Sequence, residues 1–258
     1  MQPDIIYEDS DILICFKPAG IATQTAKLSS QDMVSILKNY LVKQKREKNP
    51  YVGVIHRLDQ PVSGLLVFAK NQKAAASLSK QIQDGNANKD YIAFCTGTLE
   101  EKKGTLIHYI GKDSVTKLAK VMDAKMYVEN KEMEKESGLN VSKKEGREID
   151  QVKKQEEMLL KKAILSYEVE TELEDSSIIK VHLQTGRFHQ IRAQFSFIGH
   201  ALLGDTKYGS AISREISMKK RLNKIALCAY RLVLKHPITG KEMEFILEKK
   251  YLPEWYRK

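Results

Sequence analysis

Two short stretches of this chain hold most of the residues able to do chemistry. The first is His56-Arg57-Leu58-Asp59-Gln60-Pro61-Val62-Ser63-Gly64, a polar cluster at the end of an apolar run. If residues 56–59 are extended, side chains alternate, so Leu58 points to the core while Arg57 and Asp59 share the other face. Pro61 and Gly64 then turn the chain and leave the Asp59 carboxylate at a loop mouth. The plainer reading is that Asp59 only tightens this turn. The second stretch is Gly186-Arg187-Phe188-His189-Gln190-Ile191-Arg192-Ala193-Gln194. On a helix His189 and Arg192 are i, i+3 neighbours along a polar edge, and Ile191 and Phe195 face inward. Arg187 falls at the helix start, where the macrodipole favours anions, so an anionic partner such as a phosphate or carboxylate makes sense of it. An ordinary cationic surface helix is the simpler alternative.

His56, His108, His189 and His200 make no HxH, HExxH or His-x-x-x-His pair within one element, and no acidic cluster accompanies them. A metal site is not expected. Nor is there a phosphate-cradling glycine loop or a GxSxG elbow, so nucleotide cofactors drop out.

The elements that must position these groups read as follows. Ile12–Phe16 is a short strand closed by the turn Lys17-Pro18-Ala19-Gly20. Met33, Ile36, Leu37, Tyr40 and Leu41 recur at helical spacing. Val52–Leu58 and Leu65–Ala69 are strands around the turn 59–64, and Asn71 opens a helix with an Ala74, Ala75, Leu78, Ile82 stripe ended by Gly85. Tyr91–Cys95, Ile164–Thr171, Ile178–Leu183, Ala226–Leu234 and Met243–Leu247 are further strands, with a helix in Gly186–Ile198. Strands outnumber helices and do not alternate with them as βαβ units. The expected class is α+β around a mixed, mainly antiparallel sheet with flanking helices.

At 258 residues the chain can bury a sizeable core. With 43 Lys+Arg against 33 Asp+Glu it carries a formal charge of +10. Segment 123–162 has ten basic and ten acidic residues, so the whole excess lies elsewhere. A surface that basic suits a polyanion, RNA or DNA, although many basic proteins bind neither. Residues 123–162 hold few core formers and read as a charged insertion in one domain spanning 1–258. Three cysteines, Cys15, Cys95 and Cys228, lie apart in apolar runs and behave as core residues of a reduced, cytoplasmic protein. The apolar run Gly64–Ala69 is far short of a bilayer span, and Met1-Gln2-Pro3-Asp4 lacks the features of a signal peptide, so no membrane association is expected.

Taken in order, Lys17-Pro18-Ala19-Gly20, His56-Arg57-Leu58-Asp59 with Ser63-Gly64-Leu65, Lys89-Asp90-Tyr91, the Gly186–Arg192 stretch, Gly199-His200 and Gly204-Asp205-Thr206-Lys207-Tyr208-Gly209 resemble the RluA-type family of RNA pseudouridine synthases. The resemblance runs from about Ile5 to the C-terminus, interrupted by 123–162. It implies the pseudouridine synthase catalytic fold and isomerisation of specific uridines in structured rRNA or tRNA, by a monomer that needs no metal or organic cofactor. It implies Asp59 as the catalytic carboxylate, Tyr91 as the tyrosine that stacks on the base and assists proton removal, and Arg192 as the partner of the carboxylate. Arg57 corresponds to the residue that displaces the base and contacts the RNA backbone, and Arg187, His189, Gln190 and Ile191 fall in the RNA-contacting motif. Phe188 stands where the family often has Thr, Ala201 replaces a usual Pro, and Pro61-Val62 replaces a Thr-containing turn; these bear on RNA fit more than on activity. No S4-like module is expected before the first strands.

The chemistry asks for such residues. The base must leave its stack, so a pocket, a wedge and an aromatic platform are needed. A carboxylate in a pocket tends to protonate, and an arginine beside it opposes this. Asp59 could then attack the nucleoside or abstract a ribose proton. Two other classes remain open at this point: a binding-only RNA protein on the same fold, and a metal-dependent nuclease or phosphohydrolase.

Overall fold

In the computed structural model, residues 1–25, 30–46, 48–129 and 159–257 are described. Eleven strands among them form one sheet: β1 Asp4–Glu8, β2 Ile12–Lys17, β3 Gly53–Val54, β4 Ser63–Ala69, β5 Asn88–Thr96, β6 Lys103–Lys112, β7 Ala119–Asp123, β8 Lys161–Glu172, β9 Ser176–Leu183, β10 Leu227–Lys235 and β11 Glu242–Ile246. The order is β1-β2-β4-β10-β5-β9-β8-β6-β7, with β3 beside β4 and β11 beside β10. Every pairing is antiparallel except β4 with β10, where Ser63 lies opposite Cys228 and Gly64 opposite Ala229. The expected α+β class, with a mainly antiparallel sheet and few helices, is what the chain adopts. Most of the charged segment 123–162 lies outside the described residues.

The uninterrupted apolar runs of β2 and β4 arise because both faces of the sheet are covered there. Leu13 and Cys15 of β2 and Leu66 and Phe68 of β4 point into one core, together with Tyr91, Ala93 and Cys95 of β5. Ile12, Ile14, Leu65 and Val67 point into the other. Helix α1 (Met33–Lys45) buries Met33, Ile36, Leu37 and Leu41 on the first face, and Asp32 closes a capping box with Ser35 at its start. Helix α2 (Gln72–Gln83), capped by Asn71, buries Ala74 and Leu78 on the second. Helix α3 (Gln190–Phe197) sends Ile191 and Phe195 into the first core. Helices α4 (Ala211–Lys219) and α5 (Glu254–Arg257) follow in the C-terminal part of the chain. No helix among the described residues is long and apolar enough to cross a membrane.

Strand β3 is much shorter than the run Val52–Leu58 suggests, because residues 55–59 leave the sheet and line a cleft instead. Apolar periodicity does not mark strands β1, β6 and β7 or helices α4 and α5.

Candidate active site

The carboxylate of Asp59 sits on the connection between β3 and β4. The Asp59 carbonyl closes a tight turn by accepting from the Val62 amide at 3.0 Å, which leaves the side chain out of the turn's hydrogen bonding. Three residues from the β2 end brace this connection. Lys17, fully buried, donates its ammonium to the carbonyls of Pro18 (3.1 Å), Ile21 (2.7 Å) and Gln60 (3.0 Å). The Gly20 amide also donates to the Gln60 carbonyl, and the Gln60 side-chain amide returns to the Gly20 carbonyl. Thr23 both donates to the carbonyl of Leu58 and accepts its amide. The Lys17-Pro18-Ala19-Gly20 turn is therefore a brace beneath the Asp59 segment. Gly64, at φ +136°, lets β4 run hard against β10, since a Cβ there would overlap the backbone of Ala229.

From α3, Arg192 reaches Asp59: its Nη1 donates to Oδ2 at 2.8 Å. The rest of the guanidinium is held by Asp205, with Nε to Oδ2 and Nη2 to Oδ1 both at 2.7 Å, a bidentate pair. Asp205 also accepts the amides of Lys207 and Tyr208. Burial alone would push the Asp205 carboxyl up, but the Arg192 guanidinium and these amides outweigh it and hold it down. Burial pulls Arg192 toward release of its proton, and the two carboxylates more than reverse this, so it is raised and always charged. In the sequence, Asp205 stands within Gly204–Gly209 with nothing to mark its role. No pattern marks a partner thirteen residues from Arg192 across a loop.

His189 lies just ahead of α3 rather than on it, in the left-handed region at φ 52°. That conformation stacks its ring on Phe188, with centroids 3.8 Å apart, and brings Nδ1 to 2.7 Å from the Tyr208 hydroxyl. The Tyr208 oxygen also accepts the Ala119 amide at 2.7 Å, and the other ring nitrogen of His189, Nε2, lies 3.6 Å from Asp59 Oδ2. Burial, and then the Arg192 guanidinium against the pull of Asp59, lowers His189 to about 4, and the ring is neutral at neutral pH.

These groups line a cleft of about 570 Å³ together with Tyr91, His56, Arg57, Lys89, Gly186, Arg187 and the apolar Val62, Leu183, Ile191 and Leu227. Tyr91 is buried, and desolvation, followed by the charge of Asp59, raises its hydroxyl well above the usual range, so it stays a neutral phenol. His56 accepts the Val67 amide through Nε2, and burial with Lys89 nearby lowers it to about 3. Arg57 and Arg187 are exposed on the rim; Arg187 donates Nε to the Lys162 carbonyl at 2.8 Å. Gln190 is buried, accepts from Thr185 and from the Arg187 amide, and donates to the Ile164 carbonyl, so its side chain fixes the 185–190 loop to β8. Ile191 is a core residue that also contributes to the cleft wall.

Among the described residues, the group of acidic and histidine ligand atoms gathered closely enough for a metal is Asp9, Asp11 and His236, and none of these lines the cleft. What the cleft offers is a carboxylate hydrogen-bonded to a doubly paired guanidinium, with a neutral phenol and a neutral imidazole beside it and cations at its rim. That set can attract an anion at the mouth and present a carboxylate to a neutral group inside.

Residues 11–197 match the family model described as RNA pseudouridylate synthase. The chain is 29% identical over 251 residues to ribosomal large subunit pseudouridine synthase D of Vibrio parahaemolyticus, covering 94% of this chain and 66% of that protein. It is 30% identical over 255 residues to the protein of the same name from Zymomonas mobilis, covering 95% and 68%. An uncharacterized RNA pseudouridine synthase of Aquifex aeolicus is 30% identical over 263 residues, covering 98% and 71%. The chain thus spans about two thirds of the length of these curated relatives. Among solved structures, human RNA pseudouridylate synthase domain containing 4 superposes with a TM-score of 0.70 at 18% identity, over 98% of this chain and 90% of that one.

Proposed function

Because this chain belongs to the RNA pseudouridylate synthase family, we propose that it isomerises specific uridines of structured RNA, ribosomal or transfer, to pseudouridine, with Asp59 as the catalytic carboxylate. The observation that carries the reading is the 2.8 Å contact of Asp59 with Arg192 in a cleft that Tyr91 also lines. The reaction breaks the bond from C1′ to N1, turns the uracil, forms a bond from C1′ to C5, and moves a proton from C5 to N1. No atom is gained or lost.

Rim cations meet the RNA backbone and the target nucleotide leaves its stack to enter the cleft. Arg57, exposed beside Asp59, is placed to fill the space the base vacates. Tyr91 supplies the surface on which the uracil rests. Asp59 attacks C1′ or removes a ribose proton, and the reading admits both. Arg192, fixed by Asp205, orients the carboxylate. The neutral phenol of Tyr91 is a platform first; its hydroxyl ionises more readily once the Asp59 charge has been consumed by the sugar, since that charge is among the causes that hold it up. We read residues 1–258 as one catalytic unit carrying the charged excursion 123–162, monomeric and working in the cytoplasm without a cofactor.

The test is to incubate cellular RNA with the protein and with Asp59→Ala, then map pseudouridines. Site-specific modification by the wild type that disappears in the variant, with RNA binding kept, is the expected result. Modification that survives the substitution would overturn the role of Asp59, and cleaved RNA would overturn the isomerase.

A further inference from the structure

Three cationic side chains among the described residues are buried: Lys17, Lys89 and Arg192. Lys17 gives its ammonium to three carbonyls, and Arg192 is held by two carboxylates. Lys89, only 8% exposed, makes no hydrogen bond and no ion pair with any described residue. Burial pulls its proton affinity down and no carboxylate offsets this. An unpaired buried charge is expensive, and evolution tolerates one where the partner arrives from outside.

The position of the side chain indicates what that partner is. Lys89 lies on β5 two residues before Tyr91, so both project from the same face of the strand into the cleft. Its stem is covered while its head climbs to the rim loop: Nζ lies 3.7 Å from where a Cβ on Gly186 would stand, and Gly186 is exposed. Gly186 has no side chain to close that gap. The neighbouring cleft residues are Arg187 and Arg57, exposed cations, and His56, which is neutral and cannot serve as counter-ion. A base resting on Tyr91 occupies the cleft, whereas the sugar–phosphate chain that carries it must cross the rim, where Gly186 leaves Lys89 Nζ uncovered.

We propose that Lys89 receives a backbone phosphate of the RNA beside the inserted nucleotide, a binding role distinct from the Asp59, Arg192 and Tyr91 set. The proposal rests on the reading that a nucleotide enters this cleft. It makes the cleft a two-point clamp, with the base against Tyr91 and the phosphate against Lys89, so that an extruded nucleotide is held at both ends before Asp59 acts.

The experiment measures binding of a fluorescent oligouridylate of about 15 nucleotides, within the usual single-strand site size, as salt is raised, for the wild type, Lys89→Met and Lys89→Arg. One lost phosphate contact lowers the slope of log affinity against log salt by about 0.7, and this is expected for Lys89→Met and not for Lys89→Arg. Because the substitution removes a buried unpaired charge, Lys89→Met is also expected to melt no lower than the wild type. An unchanged slope overturns the proposal. So does a lowered melting temperature with an unchanged slope, which would make Lys89 structural, or a fall in kcat at constant KM, which would place its ammonium on the uracil. Mapping pseudouridines made by the wild type in cellular RNA separates the two readings. No modification with the slope change intact sinks the isomerase and leaves the phosphate contact, whereas modification with no slope change sinks the contact alone.

Discussion

Arg192 binds Asp205 through two hydrogen bonds of 2.7 Å and Asp59 through one of 2.8 Å. The two carboxylates differ in burial: the Asp205 side chain has no exposure and that of Asp59 has 28%. Asp205 thus anchors the guanidinium, and Asp59 takes the Nη1 that remains. Asp205→Asn leaves a buried arginine without its main counter-ion, a change that costs roughly 3–5 kcal/mol in buried pairs. Asp59→Asn removes one partly hydrated contact and is expected to cost about 1 kcal/mol or less. Urea unfolding of the two variants checks the order. Asp59→Asn as the more destabilising change would show that the anchor has been assigned to the wrong carboxylate.

Lys17→Met removes the donor shared by the carbonyls of Pro18, Ile21 and Gln60. Leaving buried acceptors unmet costs about 1–3 kcal/mol each where water cannot reach them. A total loss of about 3 kcal/mol is expected, together with a lower kcat, because the Gln60 carbonyl is the point at which the Asp59 segment is tied down. Chemical denaturation and single-turnover rates measure the two effects, and full activity in a destabilised Lys17→Met would separate the brace from the site.

Tyr91 supplies both a ring and a hydroxyl to the cleft. Tyr91→Phe keeps the ring and is expected to bind RNA as the wild type does while losing turnover. Tyr91→Ala loses the stacking surface, worth about 1–3 kcal/mol per base, and is expected to weaken binding by about 5- to 150-fold. Equal binding by all three proteins would remove Tyr91 as the platform.

His56 and His189 are neutral in the fold, at about 3 and about 4, against an ordinary 6.5. In the unfolded chain both take up a proton as pH falls below 6.5, while the folded chain does not until the lower values. Their contribution to stability is therefore complete above pH 6.5 and is lost as pH falls through the window down to about 3–4. Each adds a slope of up to about 1.4 kcal/mol per pH unit. His56→Gln is expected to flatten the fall in urea midpoint over that window, and a slope unchanged from the wild type would contradict the buried neutral state of His56.

Much of this arrangement is legible in the sequence where one local signal decides the outcome. The β2 and β4 runs, the Asn71 cap and the α1 stripe are local, and they stand where their patterns put them. Strand β6 escaped because its burial is confined to its far half and Lys103, Thr105 and Ile107 are exposed. Residues 55–59 continue an apolar run but leave the sheet, since the cleft, not a neighbouring strand, takes their side chains. Lys17 is read as a turn residue because its burial depends in part on the Gln60 carbonyl, 43 residues away. The Asp59 and Arg192 contact spans 133 residues and follows only from the family resemblance, whereas Asp205 and the left-handed His189 needed the fold itself.

The parallel pairing of β4 with β10 also orders events during synthesis. The Asp59 loop is attached to β4 and Arg192 follows β9, and in the sheet β10 is the strand inserted between β4 and β5. A nascent chain that has emerged only as far as α4 owns both charged groups but not the strand that joins their halves. A chain that stops short of β10 is therefore expected to lack a complete cleft, since Leu227 of that strand forms part of its wall.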